Sequence, residues 1–263
     1  MKTLLSLFIL SNAFTLAAQE TDFIVPANTQ KILTSAERIL SVKKFSLGDD
    51  VTIIIPPELD GWTVTAADAS IGANVKIIGK SNMGASGSNA ANSGTSISCM
   101  PGNIGFPGAN GSVGMSGKKV SMNLKIRNIG MLTIEVNGGN GGNGGNGGVG
   151  GTGGAASCRC NAGTGGNGGS GGNGANGGVG GNVTIVYNKI GNVTVSNSNF
   201  IIKNTGGLKG IGGMGGPGGK GGAAGGCTDP KSALKPAGAN GQNGVTGNNG
   251  VNGSNGTISI SVG

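Results

Sequence analysis

Four cysteines carry the clearest chemical signal in this 263-residue chain: Cys99, Cys158, Cys160 and Cys227. An even number in an exported protein reads as two disulfides. Cys158 and Cys160 are too close in sequence to bridge each other easily, so each is expected to reach another segment. Two pairings satisfy this: Cys99–Cys158 with Cys160–Cys227, or Cys99–Cys160 with Cys158–Cys227. A four-thiolate zinc site is the rival; export and the lack of a Cys-x-x-Cys pair argue against it. Other chemistry finds little material. There is no His for a triad or a metal site. Beyond Asp68 the only acids are Glu135 and Asp229, so a glycosidase-type carboxylate pair would have to come from the N-terminal region. Asp49-Asp50 after Gly48 reads as a solvated turn. No Gly-Lys-Ser/Thr closes the glycine runs as in a phosphate-binding loop. The chain is expected to be neither an enzyme nor the holder of a cofactor or metal.

The cysteines sit near the midpoints of three glycine-rich arms, 81–117, 138–181 and 206–256. The middle arm runs Gly138-Gly139-Asn140-Gly141-Gly142-Asn143 onward to Ala155. It is interrupted by Ser157-Cys158-Arg159-Cys160, and resumes from Gly165-Gly166-Asn167 to Asn182. A period of three is neither helical nor that of a strand; it is the period of polyproline II. There are 60 Gly, but the arms hold only Pro101, Pro107, Pro217, Pro230 and Pro236, too few for a collagen triple helix. In such a rod each position of the triplet forms one stripe. Gly-Gly-X leaves two stripes bare, and Gly-X-X leaves one. Both legs of the middle arm are mainly Gly-Gly-X, whereas the return legs of the outer arms are Gly-X-X. The middle arm is therefore expected at the centre. Ordering so much glycine is costly. Pre-existing polyproline II in the unfolded chain, inter-leg hydrogen bonds and disulfides would offset that cost.

A second repeat positions the arms. Val42-x-x-Phe45-Ser46-Leu47-Gly48-x-x-Val51-x-Ile53-Ile54 recurs as Ala66-x-x-Ala69-Ser70-Ile71-Gly72-x-x-Val75-x-Ile77-Ile78. Looser copies begin at Ile129-Gly130 and Ile190-Gly191. Each is an aliphatic-Gly corner followed by a half-buried strand, which predicts stacked rungs. Strands are expected at 75–78, 120–126, 132–136, 183–187, 200–203 and 257–262, each arm being a long hairpin between two of them. The predicted fold is mainly β with extensive non-regular structure. A small β-solenoid or sandwich base carries a bundle of about six polyglycine II helices from three long hairpin loops. Residues 1–18 read as a signal peptide, with Lys2, an apolar stretch and Thr15-Leu16-Ala17-Ala18. Residues 19–80 form N-terminal β-rich repeats, and 81–263 the glycine-rich bundle with interleaved strands. No later segment reads as transmembrane.

Residues 19–68 hold eight acids and four bases, whereas 69–263 hold thirteen bases and two acids. A basic rod favours a polyanion such as a surface glycan; without a basic cluster interleaved with aromatics, nucleic acid is not expected. The contact surface is placed where the repeat stops, at the tips: Met100, Arg159, Thr228, Asp229, Lys231, Leu234 and Lys235.

This layout of strand base, Gly-Gly-Asn rods and non-glycine tips resembles the receptor-binding tip adhesins of T-even-like phage tail fibres, over roughly residues 70–263. The signal peptide, the cysteine-marked tips and the N-terminal repeats depart from them, and suggest an exported, collagen-like glycine-rich surface protein. The resemblance implies display and adhesion, secreted or at the cell surface. A second resemblance, to the glycine-rich antifreeze proteins of springtails, implies ice binding, although the Asn, Lys, Met and Val of the outward stripes suit ice poorly. A purely structural envelope or matrix role is the third expectation.

Overall fold

The computed structural model describes residues 22–79, 81–226 and 233–263. The predicted signal peptide lies outside them. The described chain contains no α-helix. Eleven strands form two parallel sheets. Odd-numbered strands make the first sheet, in the order β1 (Phe23–Val25), β3 (Ile39–Leu47), β5 (Gly61–Ile71), β7 (Lys119–Ile129), β9 (Val183–Lys189) and β11 (Ile258–Val262). Even-numbered strands make the second: β2 (Gln30–Ile32), β4 (Thr52–Ile55), β6 (Val75–Gly79), β8 (Leu132–Glu135) and β10 (Phe200–Lys203). The chain thus lays down one strand in each sheet per rung.

The 24-residue sequence repeat is the rung itself. Val42 pairs with Ala66, Phe45 with Ala69, Leu47 with Ile71, Ile53 with Ile77 and Ile54 with Ile78. Alternation sends Trp62, Val64 and Ala66 of β5 and Val120, Met122 and Leu124 of β7 inward, and together with Ile53, Ile77 and Ile134 they form one buried core. Phe23 stacks on Phe45 at 5.5 Å with Trp62 tilted against both, and the Trp62 indole donates to the Glu37 carbonyl at 3.0 Å. At the corner between the sheets, Asn28, Asp50 and Asn74 all take left-handed φ of 54–58°, a conformation that Asn and Asp tolerate better than other side-chain-bearing residues. Gly72 is needed beside them because a Cβ there would lie 2.4 Å from Asp49 Oδ1. That carboxylate accepts the Ala73 N–H at 2.7 Å, so the expected turn at Asp49-Asp50 links two rungs.

The fourth copy of the repeat departs from expectation. Val193–Val195 is not a strand. Gly191 turns left-handed (φ 69°), Val193 and Val195 pack on the core, and the place beside β8 is taken by β10, with Phe200 opposite Leu132. The Asn199 carboxamide donates to Gly130 O at 2.7 Å and ties this detour to the corner beneath it.

On the opposite side, the connections from β2 to β3 and from β4 to β5 are short. The next three are the arms. Outgoing legs (81–98, 138–156 and 205–226) prolong β6, β8 and β10; return legs (101–117, 162–182 and 236–256) feed β7, β9 and β11. The legs therefore form two rows that continue the two sheets. Neighbours within a row run parallel: Gly84 donates to Asn140 O, Gly141 to Leu208 O, Gly105 to Asn167 O and Gly168 to Gln242 O, each recurring every third residue. Between rows the legs are antiparallel, as in Gly166 to Gly151 O and Gly241 to Gly219 O. These inter-leg bonds measure 2.7–3.0 Å. Each leg of arm two bonds to four others, whereas the first leg of arm one and the last of arm three bond to two. Arm two is central, as its Gly-Gly-X pattern predicts.

Candidate functional site

A triplet without proline has three backbone N–H groups, and the glycine stripes account for at most two. Where asparagine stands at the facing position, it supplies an acceptor for the third. Asn140, Asn143 and Asn146 Oδ1 accept from Leu208, Ile211 and Met214 N–H at 2.9 Å. On the return row, Asn167, Asn173 and Asn176 accept from Gln242, Asn248 and Val251 at 2.8–2.9 Å. Along the outer edge of arm three, Asn240, Asn243, Asn249, Asn252 and Asn255 accept from the outgoing leg of the same arm. The recurrence of Asn at X was the available sequence signal. Its reason is visible only once neighbouring legs are in register.

The lattice ends at the tips. Cys99 takes a left-handed φ of 66°, its N–H bonds Ala155 O at 3.0 Å, and its sulfur is joined to Cys160 with a Cα–Cα distance of 5.9 Å. This selects the second of the two expected pairings for these residues and ties arm one to arm two. Cys158 is disulfide-bonded as well; Cys227 lies outside the described residues. Ser157 and Cys160 close the central hairpin through reciprocal backbone bonds of 3.1 and 3.4 Å, and Gly225 and Lys235 close the third through bonds of 3.2 and 2.7 Å. Of the expected contact residues, Met100, Arg159 and Leu234 are exposed and Lys235 is half-buried; Ile97 is a further exposed apolar side chain at this end. Thr228, Asp229 and Lys231 lie outside the described residues.

The bases are distributed differently from the basic rod that the sequence suggests. Lys76, Lys119, Lys125, Arg127, Lys189 and Lys203 lie in strands, with Lys118 beside one. Along the legs, between the base and the tips, the described residues carry only Lys209 and Lys220. Sequence position misled because the arms interleave with strands, and the strands hold the lysines. The ion pairs among the described residues are also on the base: Lys31–Glu37, Arg38–Asp60, Arg127–Asp68 and Lys203–Glu135, at 2.7–2.9 Å.

Shifted pKa values follow these pairs. The hydrogen bond from Arg127 holds the Asp68 carboxyl below the usual aspartate value, against the opposing effect of desolvation, with the Arg127 charge adding to the lowering. The hydrogen bond and charge of Arg38 do the same for Asp60. For Glu37, desolvation opposes but hydrogen bonds from Lys31 and Thr34 prevail, and its pKa is lowered. Lys118 is lowered by burial, against the opposing charges of Asp60 and Glu58, and its Nζ donates to Pro57 O at 2.6 Å. Among the described residues no three His, Cys, Asp or Glu side chains gather into a metal-binding group, and no helix is long and apolar enough to cross a membrane.

No family model matches the chain, and no curated protein matches it. Among solved structures it is similar to the springtail antifreeze protein of Granisotoma rainieri, a bundle of nine polyproline type II helices whose crystal waters match the ice lattice. Identity is 28% over 62% of this chain and 93% of that one, with a TM-score of 0.14. An overlap this small bears on neither fold nor function.

Proposed function

We propose that the six legs are polyglycine II helices carried on a β-solenoid, and that the protein is a secreted or cell-surface display protein whose tips contact a surface glycan or another anionic ligand. Eighteen residues at a polyproline II rise of about 3.1 Å make each leg about 55 Å long. Every inner N–H of such a leg is bonded to a neighbour, so the rod holds its end at a fixed distance from the base. One observation carries the reading. Where the lattice stops, the chain is cross-linked through Cys99–Cys160 and presents Ile97, Met100 and Leu234 to solvent beside Arg159 and Lys235. Apolar side chains flanked by cations on a rigid support suit a ligand with an apolar face and a negative group. The resemblance to phage tip adhesins points to the same use of the tips.

The test is binding to a glycan array and to intact cells by the parent chain and by two variants, one with residues 228–236 exchanged for a glycine-serine stretch and one carrying M100A/R159A. Both variants are expected to keep the parent's melting curve and to lose at least about tenfold in binding, the equivalent of one charge-assisted hydrogen bond. Unchanged binding by both would sink the reading.

A further inference from the structure

The face formed by the three return legs has a property that neither the fold nor the tips require: it carries no charge. From Ile104 to Ser116, from Asn167 to Val179 and from Gln242 to Ser254, the outward residue of every triplet is uncharged. Large aliphatic groups stand on this face, with Ile104 67%, Val113 63%, Val245 73% and Val251 67% exposed. From the geometry of this face we infer that it pairs with the same face of a second copy, across a two-fold axis that runs over the row Asn110, Asn173 and Asn248.

Three arguments support a second copy as the occupant. The first is pattern. Asn110 and Asn173 lie level, as do Asn173 and Asn248, because each accepts or donates across the legs. A two-fold through that row makes the legs of the two copies antiparallel and exchanges the triplets on either side of it. Val245 of one copy then meets Val251 of the other, and Pro107 meets Val113. Ser170 meets Asn176 on the central leg. The order of outward residues on the last leg, Gln242-Val245-Asn248-Val251-Ser254, reads nearly the same in both directions. An isologous interface requires this self-complementarity. Asn110 and Asn173 at the axis have Oδ1 engaged within their own copy, and their carboxamide N–H groups are left to donate across.

The second argument is area. Five triplets of about 9.3 Å by three legs about 5 Å apart give a flat patch of about 700 Å² per copy, close to the roughly 800 Å² per partner of a stable interface. This estimate rests on the polyglycine II reading of the legs. The third is contrast with the opposite face. There the large apolar residues are Met83 on the first leg, Val149 on the second and Leu208, Ile211, Met214 and Pro217 on the third, but the face also carries Lys220, which the same operation would bury against Leu208 without a counter-charge.

Sedimentation of the full chain, read with its melting curve, decides the matter. The parent is expected to sediment as a dimer at micromolar concentration. V245K/V251K places like charges opposite each other twice and is expected to weaken dimerisation by at least about 100-fold. V245K/V251D places opposite charges in contact across the axis and is expected to restore the dimer, more weakly at high salt. I211K, on the other face, should leave it intact. All three substituted side chains are exposed, so the folds should survive. A parent that stays monomeric up to about 100 μM, dimerisation of V245K/V251K equal to the parent's, or V245K/V251D as monomeric as V245K/V251K would each overturn the inference. Mass is the readout, so failure of this pairing is distinct from failure of tip binding.

Discussion

Replacing Gly172 by alanine tests whether the close approach of the legs, rather than glycine's flexibility, holds the bundle together. Gly172 lies on the return leg of arm two. A Cβ there would sit 2.0 Å from Ala109 O and 2.5 Å from its carbonyl carbon, both backbone atoms, whereas real Cβ contacts essentially never fall below 3.0 Å. The two legs must therefore part locally by about 1 Å. Three bonds join them at this point: Gly108 N–H to Ser170 O and Gly111 N–H to Asn173 O, both 2.9 Å, and Asn173 N–H to Asn110 Oδ1 at 2.7 Å. Stretched by that amount they approach 4 Å and are lost as hydrogen bonds. At about 1 kcal/mol net each the loss is about 3 kcal/mol, against a gain of about 0.4–1 kcal/mol from a less flexible unfolded chain. The net of roughly 2–3 kcal/mol corresponds to a melting temperature lower by about 4–12 °C for a chain of this size. Gly94 is the matched control, because nothing lies within 4 Å of its Cβ position and its φ is not left-handed. G94A should raise stability by about 0.4–1 kcal/mol. Thermal unfolding followed by circular dichroism measures both. G172A melting within about 1 °C of the parent, or G94A falling as far as G172A, would refute the reasoning.

The Cys99–Cys160 bridge closes a loop with a sequence separation of 61. C99S/C160S should lose about 4 kcal/mol on the chain-entropy estimate, seen as a lower denaturant midpoint that reductant no longer alters through this bond. N140A/N143A/N146A removes the acceptors for Leu208, Ile211 and Met214. Hydrogen exchange at those three amides should accelerate while Gly213 and Gly216, bonded to backbone carbonyls, keep their protection. The lowered pKa of Asp68 has a definite sign. Its stabilisation is fully present above the unfolded value near 4 and is lost as pH falls through the lower folded value. Melting temperatures should therefore hold from pH 8 to about 5 and drop below about 4, and D68N should show a shallower acid drop; an equal drop in both would dismiss the Asp68–Arg127 pair as a contributor. A thermal-hysteresis assay discriminates the ice-binding alternative, and no activity is expected from a return face that is covered by a second copy.

The rungs were legible because period-two alternation and the Gly corner repeat after a fixed interval, and that interval became the strand register, as with Phe45 opposite Ala69. The central place of arm two was legible from Gly-Gly-X, because a helix approached on two sides must be bare on two stripes. Three things were not. The copy at Ile190-Gly191 carried the corner's residue types, yet Gly191 turned left-handed and β10 was formed further on by Phe200–Lys203. Five of the lysines counted toward the rod, Lys76, Lys119, Lys125, Lys189 and Lys203, belong to β6, β7, β9 and β10, because charge along the chain is not charge along an axis when arms and strands alternate. The role of Asn140 and its counterparts depends on an amide on another leg, 68 residues away in the case of Leu208, which no local pattern reports.

Local periodicity by itself determined the elements of this protein: strands where side chains alternate, extended legs where glycine returns every third residue, and breaks where cysteine interrupts it. These follow from backbone sterics and from which stripes carry a Cβ, and both are properties of short stretches of chain. Tertiary structure decided which partners those elements met. It chose Cys160 rather than Cys158 for Cys99, levelled the Asn rows so that N–H groups such as those of Leu208, Ile211 and Met214 have an acceptor, and gathered uncharged outward residues from three separate arms onto one flat face. Those choices depend on the register between segments tens of residues apart, and that register is set by the stacking of the two sheets at the base.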